Sequence, residues 1–189
     1  ASIHVKRKPR CLLGPVLMTK KSEGKTSHRY PLLSYDSIRN FLSLEARLLD
    51  QRHFDRWNSL FTEDGMYWMP LADEQPDPIN HLSLIYEDAM MREVRINRLR
   101  HERAWSQKPR SRTAHVIGSI VIEKVSSDEL SAVVGSAFQM SEWRSFGLRT
   151  FAGLCTHDLV VVDATIRISQ KRVDLINSED IFEPIEVFI

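Results

Sequence analysis

The chain has 189 residues, 42% of them hydrophobic and 27% charged, with a formal net charge of +1 and only two cysteines. These values fit one globular domain large enough to bury a core unaided, exclude a disulfide-stapled miniprotein, and make a reducing cytoplasm the expected setting. No apolar run approaches the roughly 20 residues that span a bilayer, and Leu12 to Met18, broken by Gly14 and Pro15, does not make a secretory signal.

Charge is unevenly spread. Residues 1–30 hold eight Lys or Arg against the single acid Glu23, which leaves the remainder net acidic. We therefore divide the chain into a basic arm, 1–33, and a single domain, 34–189. The arm lacks the aromatic interleaving of a single-strand stacking platform, so the expectation is a solvated or partner-wrapping tail, with no nucleic acid and no membrane as partner. A nucleic-acid module driven by the arm is the weakest of three readings.

Ser34 to Gln51 predicts the first helix. Ser34 can cap it, Asp36 sits in the first turn where the dipole favours an anion, and Ile38, Phe41, Leu42, Leu48 and Leu49 recur at helical spacing. A short helix follows, with Phe54, Trp57 and Leu60/Phe61 on one stripe. Thr62 to Gly65 reads as a turn, Met66 to Met69 as a strand ending at Pro70, and Asp73 to Asn80 as a loop. Leu82 to Arg103 is expected to form a third helix, with Leu82, Ile85, Tyr86, Ala89, Met90, Ile96 and Leu99 on its apolar face.

From there the pattern becomes β: Thr113 to Glu123, a turn at Ser126 to Asp128, then Leu130 to Trp143, where Leu130, Ala132, Val134, Phe138 and Met140 alternate onto one face. Leu148 to Cys155 and Leu159 to Ile168 continue the alternation, and Lys171 to Ile176 extends or follows the last strand. Helices first and antiparallel strands afterwards predict an α+β fold, helices packed on one face of a curved sheet.

Few residues carry chemistry of their own. Cys155-Thr156-His157 spells half of a Rieske motif, but no cysteine lies downstream and Cys11 has no histidine at the required spacing. His53 and Asp55, two apart on a helix, point away from each other and cannot share a metal. Cys155 is expected to be a small buried hydrophobe. Nucleophile-elbow, phosphate-loop and dinucleotide-turn motifs are absent. An acid/base pocket inside the curved sheet is an alternative, with His115, Tyr67, Tyr86 and Asp88 as candidates and a His/Asp pair as its centre. Seven arginines lie between Arg92 and Arg112, around Trp105 and Pro109. They wrap around the helix rather than forming one stripe, which suits a protein interface better than DNA.

Several motifs then occur together and in order. They are E-A-x-L-L-D at Glu45–Asp50, F-D-x-W at Phe54–Trp57, L-F-T-x-D at Leu60–Asp64 and Y-W-M-P at Tyr67–Pro70. S-L-I-Y-E-D at Ser83–Asp88, R-x-x-R-L at Arg95–Leu99, A-W-S-Q-x-P-x-S-R-T-x-H at Ala104–His115 and K-R-V-D-L-I-N at Lys171–Asn177 complete the set. In these the chain resembles the β (small) subunit of aromatic-ring-hydroxylating Rieske dioxygenases, over about 34–176. The resemblance implies the cone-like curved sheet, antiparallel or mixed, of nuclear transport factor 2 and cystatin-like proteins, packed by three N-terminal helices.

It further implies a non-catalytic structural subunit in a complex that adds dioxygen to an aromatic ring to give a cis-dihydrodiol. The partner would be a catalytic α subunit, usually three α and three β chains, with β self-association around a threefold axis. This chain would hold no cofactor; the Rieske [2Fe–2S] cluster and mononuclear Fe(II) would sit in α, fed from NADH through a separate electron-transfer chain. The expected contacts are Tyr86, Asp88, Arg92, Arg95, Arg98, Trp105, Pro109, Arg112 and His115. The ending Glu179 to Ile189 looks closer to the benzoate- and cumate-like branch than to naphthalene- or biphenyl-type chains. The alternative remains a stand-alone isomerase or dehydratase of the same fold.

Overall fold

The computed structural model describes residues 32–101, 109–144, 147–180 and 184–189. The basic arm therefore lies, apart from its last two residues, outside the described part.

Helix α1 spans Tyr35–Asp50, and the Ser34 side chain caps it by accepting from the Ser37 N–H. One face buries Ile38, Phe41, Leu42, Leu48 and Leu49, as their spacing predicts, together with Glu45. The helix ends where Arg52 takes a left-handed conformation, φ +59°, a position glycine usually fills. Its guanidinium is anchored by donating to the carbonyls of Leu99 and Ser111. Helix α2 is a short piece, Phe54–Asn58, that buries Phe54 and Trp57.

Strand β1 runs from Phe61 to Pro70. The turn expected at Thr62–Gly65 is instead an irregularity inside this strand, where its register with the last strand shifts between Phe61 and Met66. Gly65 is required there, since a Cβ would lie 2.7 Å from the Ile168 carbonyl oxygen.

The helix expected over Leu82–Arg103 is corrected in its first part. Ser83–Glu87 forms β2, antiparallel to β1, and α3 begins only at Ala89 and ends at Arg100. Leu82, Ile85 and Tyr86 satisfy helical spacing, but Ile85 and Glu87 turn inward with Tyr86 exposed between them.

Four long strands follow: β3 Arg112–Val125, β4 Ser131–Arg144, β5 Gly147–Val162 and β6 Thr165–Leu175. Leu148–Cys155 and Leu159–Ile168 are thus not two strands. β5 runs unbroken to Val162, and the chain reverses at Asp163-Ala164, both at positive φ, before β6. The sheet order is β2-β1-β6-β5-β4-β3, antiparallel except for the β1–β6 pair.

The mixed sheet curves, as the expected cone requires. α1 packs on β3, α2 lies against α1 and α3, and α3 covers β1 and β2. The segment Val187–Ile189 is buried with the core, its Phe188 ring 4.3 Å from Trp57 and 5.8 Å from Tyr67. No helix among the described residues is long and apolar enough to cross a membrane.

Candidate functional site

Two features compete for functional meaning: a charged network inside the fold, and the exposed surface of β2, α3 and the sheet. The network starts from Glu45, on the apolar face of α1 where only a paired charge is tolerable. β5 and β6 supply its partners, because His157 and Lys171 face each other across those strands at inward positions. Glu45 Oε1 accepts from Lys171 Nζ at 2.7 Å and from Trp57 Nε1 at 3.1 Å, while Oε2 lies 3.0 Å from His157 Nε2.

Burial alone would raise the Glu45 pKa, but Lys171 and His157 outweigh it and hold the carboxyl well below the usual range. Lys171 moves the other way: burial would lower its pKa, and Glu45 raises it above its ordinary value. Both groups are ionised at neutral pH, locked to each other. Cys155, next to them, is 3% exposed, and burial pushes its thiol up to about 12. It is the buried hydrophobe expected of it.

A second pair sits at the end of α1. Asp50 Oδ1 accepts from Thr113 Oγ1 at 2.9 Å and lies 2.6 Å from His115 Nδ1; Oδ2 accepts from the His115 backbone N–H at 3.0 Å. Partial burial opposes ionisation of Asp50, and the hydrogen bonds from His115 overcome it, so its pKa is lowered.

The expected contact residues divide. Arg92 is buried within the chain: it is 1% exposed, stacks 4.0 Å from the Phe61 ring centroid, and donates to Asn58 Oδ1 and to the Gly65 and Glu87 carbonyls. Burial lowers its pKa to about 10, still charged at neutral pH. Arg95 is also turned inward, gripping Glu87 Oε1 at 2.6 and 2.9 Å and the Ile185 carbonyl at 3.1 Å. His115 spends one ring nitrogen on Asp50 within the chain.

Tyr86, Asp88, Arg98, Pro109 and Arg112 are exposed. Asp88 caps α3 by accepting from the Met91 N–H, and Arg112 lies over the Trp143 ring. Trp105 lies outside the described residues. Of the candidates for the alternative acid/base reading, Asp88 is committed to the exposed start of α3, and His115 is paired with Asp50. Tyr67 is buried with its hydroxyl on Ile189.

Sequence reading passed over Glu45, Asp50 and Lys171 as a group, and weighed His157 only as an iron ligand. The available signal was a charged residue in an apolar register: Glu45 among Phe41, Leu42 and Leu48, and Lys171 alternating with Val173 and Leu175.

A Rieske cluster does not fit the donors present. One His157 nitrogen is held by Glu45, the Cys155 thiol keeps its proton, and no group of three or more potential ligands converges among the described residues.

A family model described as the ring hydroxylating β subunit matches residues 44–179. The small subunit of 2-halobenzoate 1,2-dioxygenase from Burkholderia cepacia is 33% identical over 149 residues, covering 76% of this chain and 89% of that protein. The small oxygenase component of the p-cumate 2,3-dioxygenase system of Pseudomonas putida is 33% identical over 137 residues, covering 71% and 75% respectively. The crystal structure of the β subunit of benzoate 1,2-dioxygenase from Burkholderia mallei superposes with a TM-score of 0.66 at 27% identity, covering 79% of this chain and 95% of that one.

Proposed function

The chain belongs to the ring-hydroxylating β-subunit family, and from that premise we propose that it is a scaffold carrying none of the complex's catalytic residues. Its partner is an α subunit that holds the Rieske cluster and the mononuclear iron, receives electrons originating from NADH, and adds dioxygen to an aromatic ring to give a cis-dihydrodiol. Three chains of each kind, in the cytoplasm, is the assembly we propose. The observation that carries the reading is the use made of the interior: the Glu45 carboxylate and the Lys171 ammonium are spent on each other, with His157 as a further partner of Glu45, as ties between α1, β5 and β6.

The exposed surface supports a binding role. Met90, Val94 and Arg98 recur every fourth residue and form one outward stripe on α3, flanked by Tyr86 on β2. An apolar stripe ending in an arginine and bordered by a tyrosine has the composition of a protein interface. We assign it to the α subunit, with Asp88, Pro109 and Arg112 as outlying contacts. On the sheet face turned away from α1, Val116, Leu148 and Leu154 are each more than half exposed, a patch suited to self-association of β chains around a threefold axis. The relatives acting on halobenzoate and cumate make a carboxylated aromatic ring the substrate class to test first.

The test is affinity purification of the tagged chain from cells that also express its α subunit, with native mass and iron content measured together. An iron-containing complex in which Tyr86→Ala with Arg98→Glu loses the α chain supports the assignment. A colourless homo-oligomer, or full recovery of α with the double variant, refutes it. Both positions are exposed, so the isolated variant should keep its stability within about 0.5 kcal/mol.

A further inference from the structure

Between α1 and the sheet lies a small enclosed space whose lining is mixed. Leu42, Leu49, Ile117 and Phe138 give apolar walls, Glu45 and Lys171 a closed ion pair, and His115 and His157 two imidazoles. The side chains of His115 and His157 are only 1% and 3% exposed, yet His115 Nε2 and His157 Nδ1 have no hydrogen-bond partner among the described residues. Leaving such atoms unpaired is costly, and buried polar atoms in folded proteins are ordinarily satisfied. Two such atoms on residues that line one cavity point to something that binds there.

We propose that this space is a pocket for a small neutral molecule with an apolar body and a hydroxyl or N–H donor, and that Ile189 is its stopper. The polarity of the ligand follows from the carboxylates. Asp50 and Glu45 are ionised and can only accept, so His115 Nδ1 and His157 Nε2 carry protons. With each ring neutral, as the proposal takes it, the remaining nitrogen is an acceptor, and the pocket asks for donors. Net charge on the ligand is disfavoured by the lining itself, where Lys171 and Glu45 already neutralise each other.

Size follows from Ile189, which lines the same space and leaves room for roughly one water molecule, so a ligand with an apolar body enters only when the Ile189 side chain withdraws. The stopper is held by reversible contacts. The Tyr67 hydroxyl donates to the Ile189 carbonyl at 3.4 Å and accepts from its N–H at 3.2 Å, and Phe188 packs on Trp57. Burial pushes the Tyr67 phenol up to about 12, so it remains a donor through the physiological range. The inference does not depend on the identity of any partner subunit.

Phenol is the probe, with toluene as the isostere lacking the donor. Each is titrated into the full chain and into the Ile189→Ala variant, with calorimetry for affinity and the imidazole nitrogen resonances of His115 and His157 for location. Ile189→Ala should bind phenol saturably, about tenfold more tightly than the unaltered chain and about fivefold more tightly than toluene, the worth of one hydrogen bond of about 1 kcal/mol. At least one of the two rings should shift on binding. Absence of saturable binding, equal affinity for toluene, resonances of either ring that show both nitrogens protonated, or binding that moves neither ring overturns the proposal. Should Ile189→Ala fail to fold, Tyr67→Phe carries the test, because it releases Ile189 without emptying the core; phenol affinity unchanged from the parent then overturns it.

Discussion

Replacing Lys171 by Met should be among the most damaging single changes outside the apolar core. The methionine fills nearly the same volume, so the loss is electrostatic. Glu45 keeps Trp57 and His157 as partners but loses the one cation whose hydrogen bond, at 2.7 Å, is the shortest of its three. Removing one member of a buried ion pair typically costs about 3–5 kcal/mol, because the survivor stays buried and uncompensated. We expect that loss in urea unfolding followed by tryptophan fluorescence, with Trp57 as a reporter in the network itself and protein concentration held constant, since assembly shifts apparent stability.

The pH dependence gives a second, independent check. Glu45 has a folded pKa depressed below the ordinary glutamate value of about 4.3, so its contribution is present above that value and is lost as pH falls through the folded pKa. In Lys171→Met the depression shrinks, protonation relieves the orphaned carboxylate, and the gap between variant and parent should narrow as pH drops through the carboxylate range. Glu45→Gln combined with Lys171→Met should cost less than the two single changes added together. Strict additivity in that cycle, or a Lys171→Met loss under about 1 kcal/mol at neutral pH, would refute the coupling.

Arg92→Met should destabilise the isolated chain by about 2–4 kcal/mol, since it strips a buried guanidinium from Asn58, Gly65 and Glu87; a change below about 0.5 kcal/mol in denaturant unfolding would contradict its internal role. Cys155 should resist iodoacetamide at mildly alkaline pH until the chain unfolds, because its thiol is buried and pushed up to about 12; peptide mapping that finds rapid labelling of Cys155 in folded protein would contradict this. Ala164→Gly should raise the thermal midpoint, with a gain of up to about 1 kcal/mol, since Ala164 sits at φ +57° where a Cβ is strained; a lower midpoint would show that the turn is not strained.

The sequence was most readable where one physical signal acted alone. The α1 face, the inward register of β4 from Ala132 to Met140 and the burial of Cys155 all follow from periodicity with no competing demand, whereas Leu130, expected on the same face, lies before β4 and is exposed. It was least readable where a tertiary demand overrode the local pattern. Only five residues long, β2 carries a glutamate at one of its inward positions, so its alternation was hidden and a helical spacing running into α3 took its place. The β5–β6 reversal escaped because a two-residue turn with both φ values positive normally announces itself with Asn or Gly, whereas here it is Asp163-Ala164. The interior network was illegible for another reason. Glu45, His157 and Lys171 belong to three distant elements, and no spacing rule connects them. Arginine density, in turn, does not say whether a guanidinium faces out: Arg92 and Arg98 have the same chemistry, and only packing against Phe61 separates them.

The parallel pairing of β1 with β6 has a consequence for how the molecule is made. β1 leaves the ribosome before the strand that must lie beside it, with partners such as Trp68 and Arg172, and residues 71–164 are synthesised between the two. Until β6 arrives, α1 holds Glu45 without its cation and β1 offers an unpaired, largely apolar edge. Such non-local closure is slow and leaves nascent chains prone to aggregation. Yield of this protein should therefore respond to translation speed and chaperone supply before it responds to any improvement in its surface.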